Sequence, residues 1–156
     1  KNHEIRYDST SGGMYYALAE SILAKEGWLA GCVYTADFDH AEHIVSNTMD
    51  GLKRIMRSKY FQSDTSGIYK KVRELLLKKK TVLFCGAPCQ VAALYKYLGK
   101  EYSNLYTVDF ICRGINTPLA YQMYMAIYYD GGDPLSFREW TSAINRLAKG
   151  FEDDRF

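Results

Sequence analysis

The sequence predicts an α/β fold: a mixed, largely parallel sheet flanked by helices, in a single domain spanning residues 1–156. Three observations predict it. Strand-like and helix-like segments alternate through the second half of the chain. Residues 81–85 form an unbroken apolar run with a turn signal behind it, the pattern of a strand covered on both faces. Pro88 follows Gly86-Ala87, where its missing N–H suits the first turn of a helix. Length agrees, since 156 residues make one ordinary domain with room for a core. A composition of 47% hydrophobic and 24% charged residues excludes a disordered chain.

Residues 1–8 are polar and read as extended. Ser9-Thr10-Ser11 offers N-caps for a helix whose apolar stripe is Met14, Leu18 and Ile22, with Ala17 beside it. Gly27 ends that helix. Residues 28–36 and 42–48 read as two strands of a hairpin turning at Asp37-Phe38-Asp39. Residues 50–57 make a short basic helix, and 58–63 are polar and aromatic without periodicity. Ile68, Val72, Leu75 and Leu76 mark the next helix. Lys78-Lys79-Lys80 closes it with cations that suit the negative end of a helix dipole. After the 81–85 strand, Val91, Leu94, Tyr95 and Leu98 give the Pro88 helix one face, and Gly99 ends it. Residues 105–112 read as a strand, 117–129 as a helix and 134–140 as a last strand. Right-handed crossovers would make the later strands parallel.

A net charge of +2 gives no electrostatic case for nucleic acid as the main partner. No apolar run approaches the roughly 18 residues of a membrane span. No basic region precedes an apolar one, so no signal peptide is expected. The chain opens at Lys1 and closes on Glu152-Asp153-Asp154-Arg155-Phe156 without a capping signal, which reads as a piece of a longer protein. The four cysteines, Cys32, Cys85, Cys89 and Cys112, contain no Cys-x-x-Cys pair. They read as reduced thiols of a cytoplasmic protein. His40 and His43 lie beside an acidic turn, but so weak a metal-ligand spacing favours surface histidines.

Three constellations carry chemistry. Cys89 and Cys112 each follow a predicted buried strand, one strand-to-strand repeat apart. If those strands are parallel neighbours, both thiols reach the crevice beyond their carboxyl ends, where ligands gather in open α/β sheets. Cys89 also falls in a helix first turn, whose positive end suits a thiolate ligand or nucleophile. Spacing alone leaves Cys89 open between that role and a small buried hydrophobe, and it places Cys32 and Cys85 in the core. Ser9-Thr10-Ser11-Gly12-Gly13 before a helix has the form of a phosphate site, or of a plain cap. The stretch from Lys53 to Ser63 offers basic side chains for a pyrophosphate and Tyr60 or Phe61 for a planar ring, or a solvated basic face. Of the 14 tyrosines, those in predicted helices read as amphipathic packing, whereas Tyr60 interrupts a non-periodic loop.

These segments occur in a telling order: Ser-x-Ser-Gly-Gly, Ser58-Lys59-Tyr60-Phe61-Gln62-Ser63, Gly86-Ala87-Pro88-Cys89-Gln90 and Cys112-Arg113-Gly114. The chain resembles the beta-subunit family of the deazaflavin (coenzyme F-420) hydrogenases and dehydrogenases. The resemblance runs from about Thr10 to about Arg138 and implies a flavin-binding domain of an electron-transfer oxidoreductase. It implies FAD and a 4Fe-4S cluster as cofactors, and a ferredoxin-like domain or subunit and a redox partner protein as partners. By the resemblance, Ser11, Gly12 and Gly13 form the flavin phosphate loop. By the resemblance Lys59, Gln62 and Ser63 belong to the cofactor pocket, which Tyr60 joins on its aromatic character in this loop, and Cys89 and Cys112 are cluster ligands. Two cysteines cannot complete the four thiolates of a cluster, so the ligand set in this chain is incomplete. Arg113 stands where the family has His, and Ala87 where it has Thr. Two other classes stay open: a non-catalytic α/β interaction subunit, and an enzyme using Cys89 as nucleophile.

Overall fold

The computed structural model describes residues 3–9, 13–36, 40–59, 61–115 and 117. The predicted helix over 117–129 and strand over 134–140 lie outside the described residues, apart from Thr117. The chain divides into two units, Lys1–Asn116 and Thr117–Phe156, and every element named below belongs to the first.

Nine elements are described. They are α1 (His3–Asp8), α2 (Met14–Leu23), β1 (Trp28–Tyr34), β2 (Ala41–Ser46), α3 (Met49–Ile55), α4 (Ile68–Leu77), β3 (Val82–Gly86), α5 (Pro88–Leu98) and β4 (Leu105–Asp109). The strands form one sheet in the order β2-β1-β3-β4. β1 and β2 are the antiparallel hairpin, with Tyr34 opposite Ala41. β1 pairs with β3 in parallel, and β3 with β4. The sheet is therefore mixed and largely parallel, as the sequence predicts.

Helices cover both faces. On one face Ala30, Val82 and Phe84 pack against Ile68, Val72 and Leu76 of α4 and Leu94 and Leu98 of α5. On the other, Leu29, Val33 and Leu83 meet Ala19 of α2 and Leu52 and Ile55 of α3. Alternation along β1 and β3 sends neighbouring side chains to opposite cores, which is why these strands read as continuous apolar runs. Each fully buried Leu, Ile or Phe here stabilises by roughly 1.5–3 kcal/mol over its exposed state. Gly31 is not a flaw in β1: a Cβ there would fall 2.4 Å from Ile55 Cγ2, so the glycine lets α3 lie on the strand.

Four local expectations are corrected. Residues 3–8 are helical rather than extended; Glu4 and Arg6 are strong helix formers, and no Gly or Pro interrupts them. The N-cap of α2 is Gly13, without a side-chain cap, rather than a Ser or Thr hydroxyl. The buried side of α2 is Tyr15, Ala19, Ile22 and Leu23, while Met14 and Leu18 are exposed. Two stripes of helical period run along α2, and the one with small Ala19 fits closer to the sheet. The strand expected over 105–112 ends at Asp109, leaving 110–115 as exposed coil.

Candidate functional site

β1, β3 and β4 all point their carboxyl ends to one rim of the sheet. The first turn of α5 begins there, because Pro88 at its start fixes the entry and Gln90 caps it. Gln90 Oε1 accepts from the Ala87 N–H at 2.9 Å. The loop after α3 reaches the same rim. Asp64 donates its N–H to the Ala41 carbonyl at 2.7 Å, and its own carbonyl accepts from the His43 N–H at 2.9 Å. That pairing adds a one-residue parallel bridge outside β2. Gln90 Nε2 then donates to Ser63 Oγ at 2.8 Å, joining loop and turn.

The two exposed thiols fall as the strand repeat requires. Val82 pairs with Leu105 and Gly86 with Asp109, an offset of 23 residues. Cys89 and Cys112 have that same separation, each three residues beyond its strand. Both are free and exposed, and the Cys112 thiol lies 3.8 Å from the Gly114 carbonyl. Among the described residues no three His, Cys, Asp or Glu side chains converge as a metal site.

Lys59 is differently placed from an open phosphate ligand. Its ammonium lies 2.7 Å from the carbonyls of Arg54 and Ile55, 2.5 Å from that of Met56 and 3.2 Å from that of Arg57. It plugs the end of α3, where carbonyls lack helical partners. Burial pulls this ammonium down to about 8, and the nearby Cys32 and Cys85 thiols oppose the shift. Those two cysteines are half-buried at the rim rather than sealed in the core. Burial pushes Cys85 up to about 11, and it also raises Cys32 against the pull of Lys59 and Ser63. Burial and the Cys85 thiol raise the Tyr15 hydroxyl as well, and that hydroxyl is buried with no hydrogen-bond partner among the described residues.

Gln62 is exposed and, with Ser63, lines an open depression of about 460 Å³. Thr35, His40, Glu42 and Asp64 stand around it. Phe61 is buried edge-on against Tyr34, with centroids 5.8 Å apart, and does not face an open ring site. Gly13 heads α2 with φ +86°, and a Cβ there would meet Ile5 Cγ2 at 3.2 Å. Ser9 Oγ beside it is buried with no partner among the described residues. Ser11, Gly12 and Tyr60 lie outside the described residues.

Two residues at this rim escape sequence reasoning. Gln90 belongs to the Gly86–Gln90 motif with no role assigned from the sequence, although Gln at the third position of a Pro-started helix is a capping signal. His43 is 6% exposed, not a surface histidine. The alternation Ala41, His43, Val45 along β2 carries that signal.

No protein-family model matches the chain, and no curated protein sequence matches it. Among solved structures, a chain of the F-420-reducing NiFe hydrogenase complex from Methanosarcina barkeri is similar, with a TM-score of 0.61 at 15% identity. The two share a fold. The similarity covers 85% of this chain and 48% of that one, so this chain spans about half the length of its neighbour. Among the described residues no helix is long and apolar enough to cross a membrane.

Proposed function

We propose that this chain is the flavin-binding module of an electron-transfer oxidoreductase, working with a ferredoxin-like domain or subunit and a redox partner protein. The observation that carries the reading is the Gln90–Ser63 hydrogen bond. It joins the two most specific segments of the resemblance, 58–63 and 86–90, at the rim where α/β sheets bind ligands. The neighbour's place in a hydrogenase complex supports the same class.

The residues present fit FAD in part. Gly13 heads a ten-residue helix whose N-terminus has no side-chain cap, a form that suits a phosphate. Gln62 offers an exposed amide beside the depression. Lys59 and Ser63 serve the site by holding the loop, since their polar atoms are engaged within the protein. Bound FAD would supply hydride acceptance and single-electron release, and the protein's part is to orient it. The residues present do not fit a 4Fe-4S cluster by themselves. Cys89 and Cys112 are two thiols where four thiolates are needed.

The internal engagement of Lys59 and Ser63 also favours a second reading, an interaction subunit that keeps the fold and binds no cofactor. One experiment separates them. The full native protein, purified anaerobically, is titrated with FAD by calorimetry and its visible spectrum recorded. Saturable binding that weakens in Gly13→Ala supports the flavin module. Absence of binding and of flavin absorption overturns it in favour of the interaction subunit.

A further inference from the structure

We infer that Gln90 is the positioning residue of this rim, setting the place of Gln62 and of Cys89 relative to each other through Ser63. The inference takes its ligand from the flavin reading, while its geometry stands without it.

Gln90 is 8% exposed and Ser63 7%. A primary amide has one acceptor and one donor end, and here both are used across different segments. The acceptor end takes the Ala87 N–H, two residues before Cys89. The donor end reaches Ser63, which directly follows Gln62 and lies 27 positions away in the chain. Capping α5 needs only the first bond. The second gives the amide a longer-range task. The loop is anchored on its other side to β2, through Asp64. Gln90 ties it to the turn between β3 and α5, so the loop bridges two strands that do not neighbour one another. Space is kept for this amide: a Cβ on Gly86 would stand 3.0 Å from Gln90 Oε1. A buried amide engaged at both ends is costly to leave with one end unpaired, so it holds both segments in one arrangement.

The test uses the full native protein and the variants Ser63→Ala, Ser63→Thr, Gln90→Leu and the Ser63→Ala/Gln90→Leu pair. Thermal melting shows which fold, and Ser63→Ala, which removes one oxygen, serves if Gln90→Leu does not. Two readouts are taken: FAD affinity with the visible spectrum of the bound flavin, and the iodoacetamide rate at Cys89 resolved by peptide mass spectrometry. The expected result is FAD binding about tenfold weaker in Ser63→Ala and in Gln90→Leu, the size of one lost buried hydrogen bond. The double variant should be no weaker than the worse single one. The Cys89 rate should change in the same variants, and Ser63→Thr should restore both readouts. FAD affinity, flavin spectrum and Cys89 rate all unchanged in Ser63→Ala would overturn the inference. If the wild-type protein binds no FAD, the flavin reading falls and the Cys89 rate alone decides: altered upholds Gln90, unaltered overturns it.

Discussion

His43 Nε2 donates to the carbonyl oxygen of Cys85 at 3.2 Å, although β1 lies between their strands in the sheet. Its ring stacks on Phe84 with centroids 5.4 Å apart and an interplanar angle of 15°. Donation from Nε2 leaves Nδ1 as the bare nitrogen, and Nδ1 is buried with no partner among the described residues. Protonating it would bury a charge with no acceptor for the new hydrogen among those residues.

A pH dependence with a definite sign results. Burial lowers His43 below its ordinary 6.5, against the opposing pull of the Cys85 carbonyl. As pH falls through 6.5 the unfolded chain takes up a proton that the folded chain refuses, so stability falls with it. The melting temperature of the wild type should drop more between about pH 7 and pH 5 than that of His43→Gln, which keeps a donor and cannot titrate. Parallel profiles for the two proteins would refute the assignment.

Lys59 should matter to stability before it matters to any ligand. Lys59→Met removes the ammonium around which four carbonyls gather at the end of α3. A loss of about 1.5–3 kcal/mol is expected, the usual worth of hydrogen bonding to a charged group, with Ile55 and Met56 supplying the part-buried acceptors. Urea denaturation reads it directly. A variant as stable as the wild type would return Lys59 to the role of a ligand-facing cation.

Gly86→Ala tests the crowding at the head of α5. The added methyl would lie 2.9 Å from Phe84 Cε1 and 3.0 Å from Gln90 Oε1. Overpacking of this kind costs about 1–3 kcal/mol. Chemical denaturation should show that loss, and a neutral substitution would mean the turn relaxes more freely than its neighbours suggest.

The four thiols should divide into two pairs. Cys89 and Cys112 are exposed, and native alkylation at neutral pH should label both. Cys32 and Cys85 are half-buried with raised thiols, which leaves little thiolate to react. They should label only after denaturation. Peptide mass spectrometry distinguishes the pairs, and early labelling of Cys85 would mean that the rim opens.

Much of the architecture was legible because it rests on local signals. Pro88 and Gly99 bracket α5, with Gly99 in the left-handed conformation at its end. The apolar run before Pro88 became a central strand, and the 23-residue repeat became the β3–β4 register. What escaped is what depends on distant partners. Nothing near Met14 and Leu18 reveals that Ala19, not they, meets the sheet. A lysine inside a basic stretch looks like an anion ligand, and only the end of α3 shows where its ammonium goes. The link from Gln90 to Ser63 spans two segments whose meeting is a property of the topology.

That meeting is made by the one described strand that runs against the others. β2 carries the chain back from the carboxyl rim to the far side of the sheet, and α3 returns it, so that Lys59 and Ser63 arrive beside Cys85 and Gln90. The hairpin thus works as a parity device. A parallel strand in its place would deliver α3 to the opposite rim, and the two motifs would sit a full strand length apart with every residue unchanged.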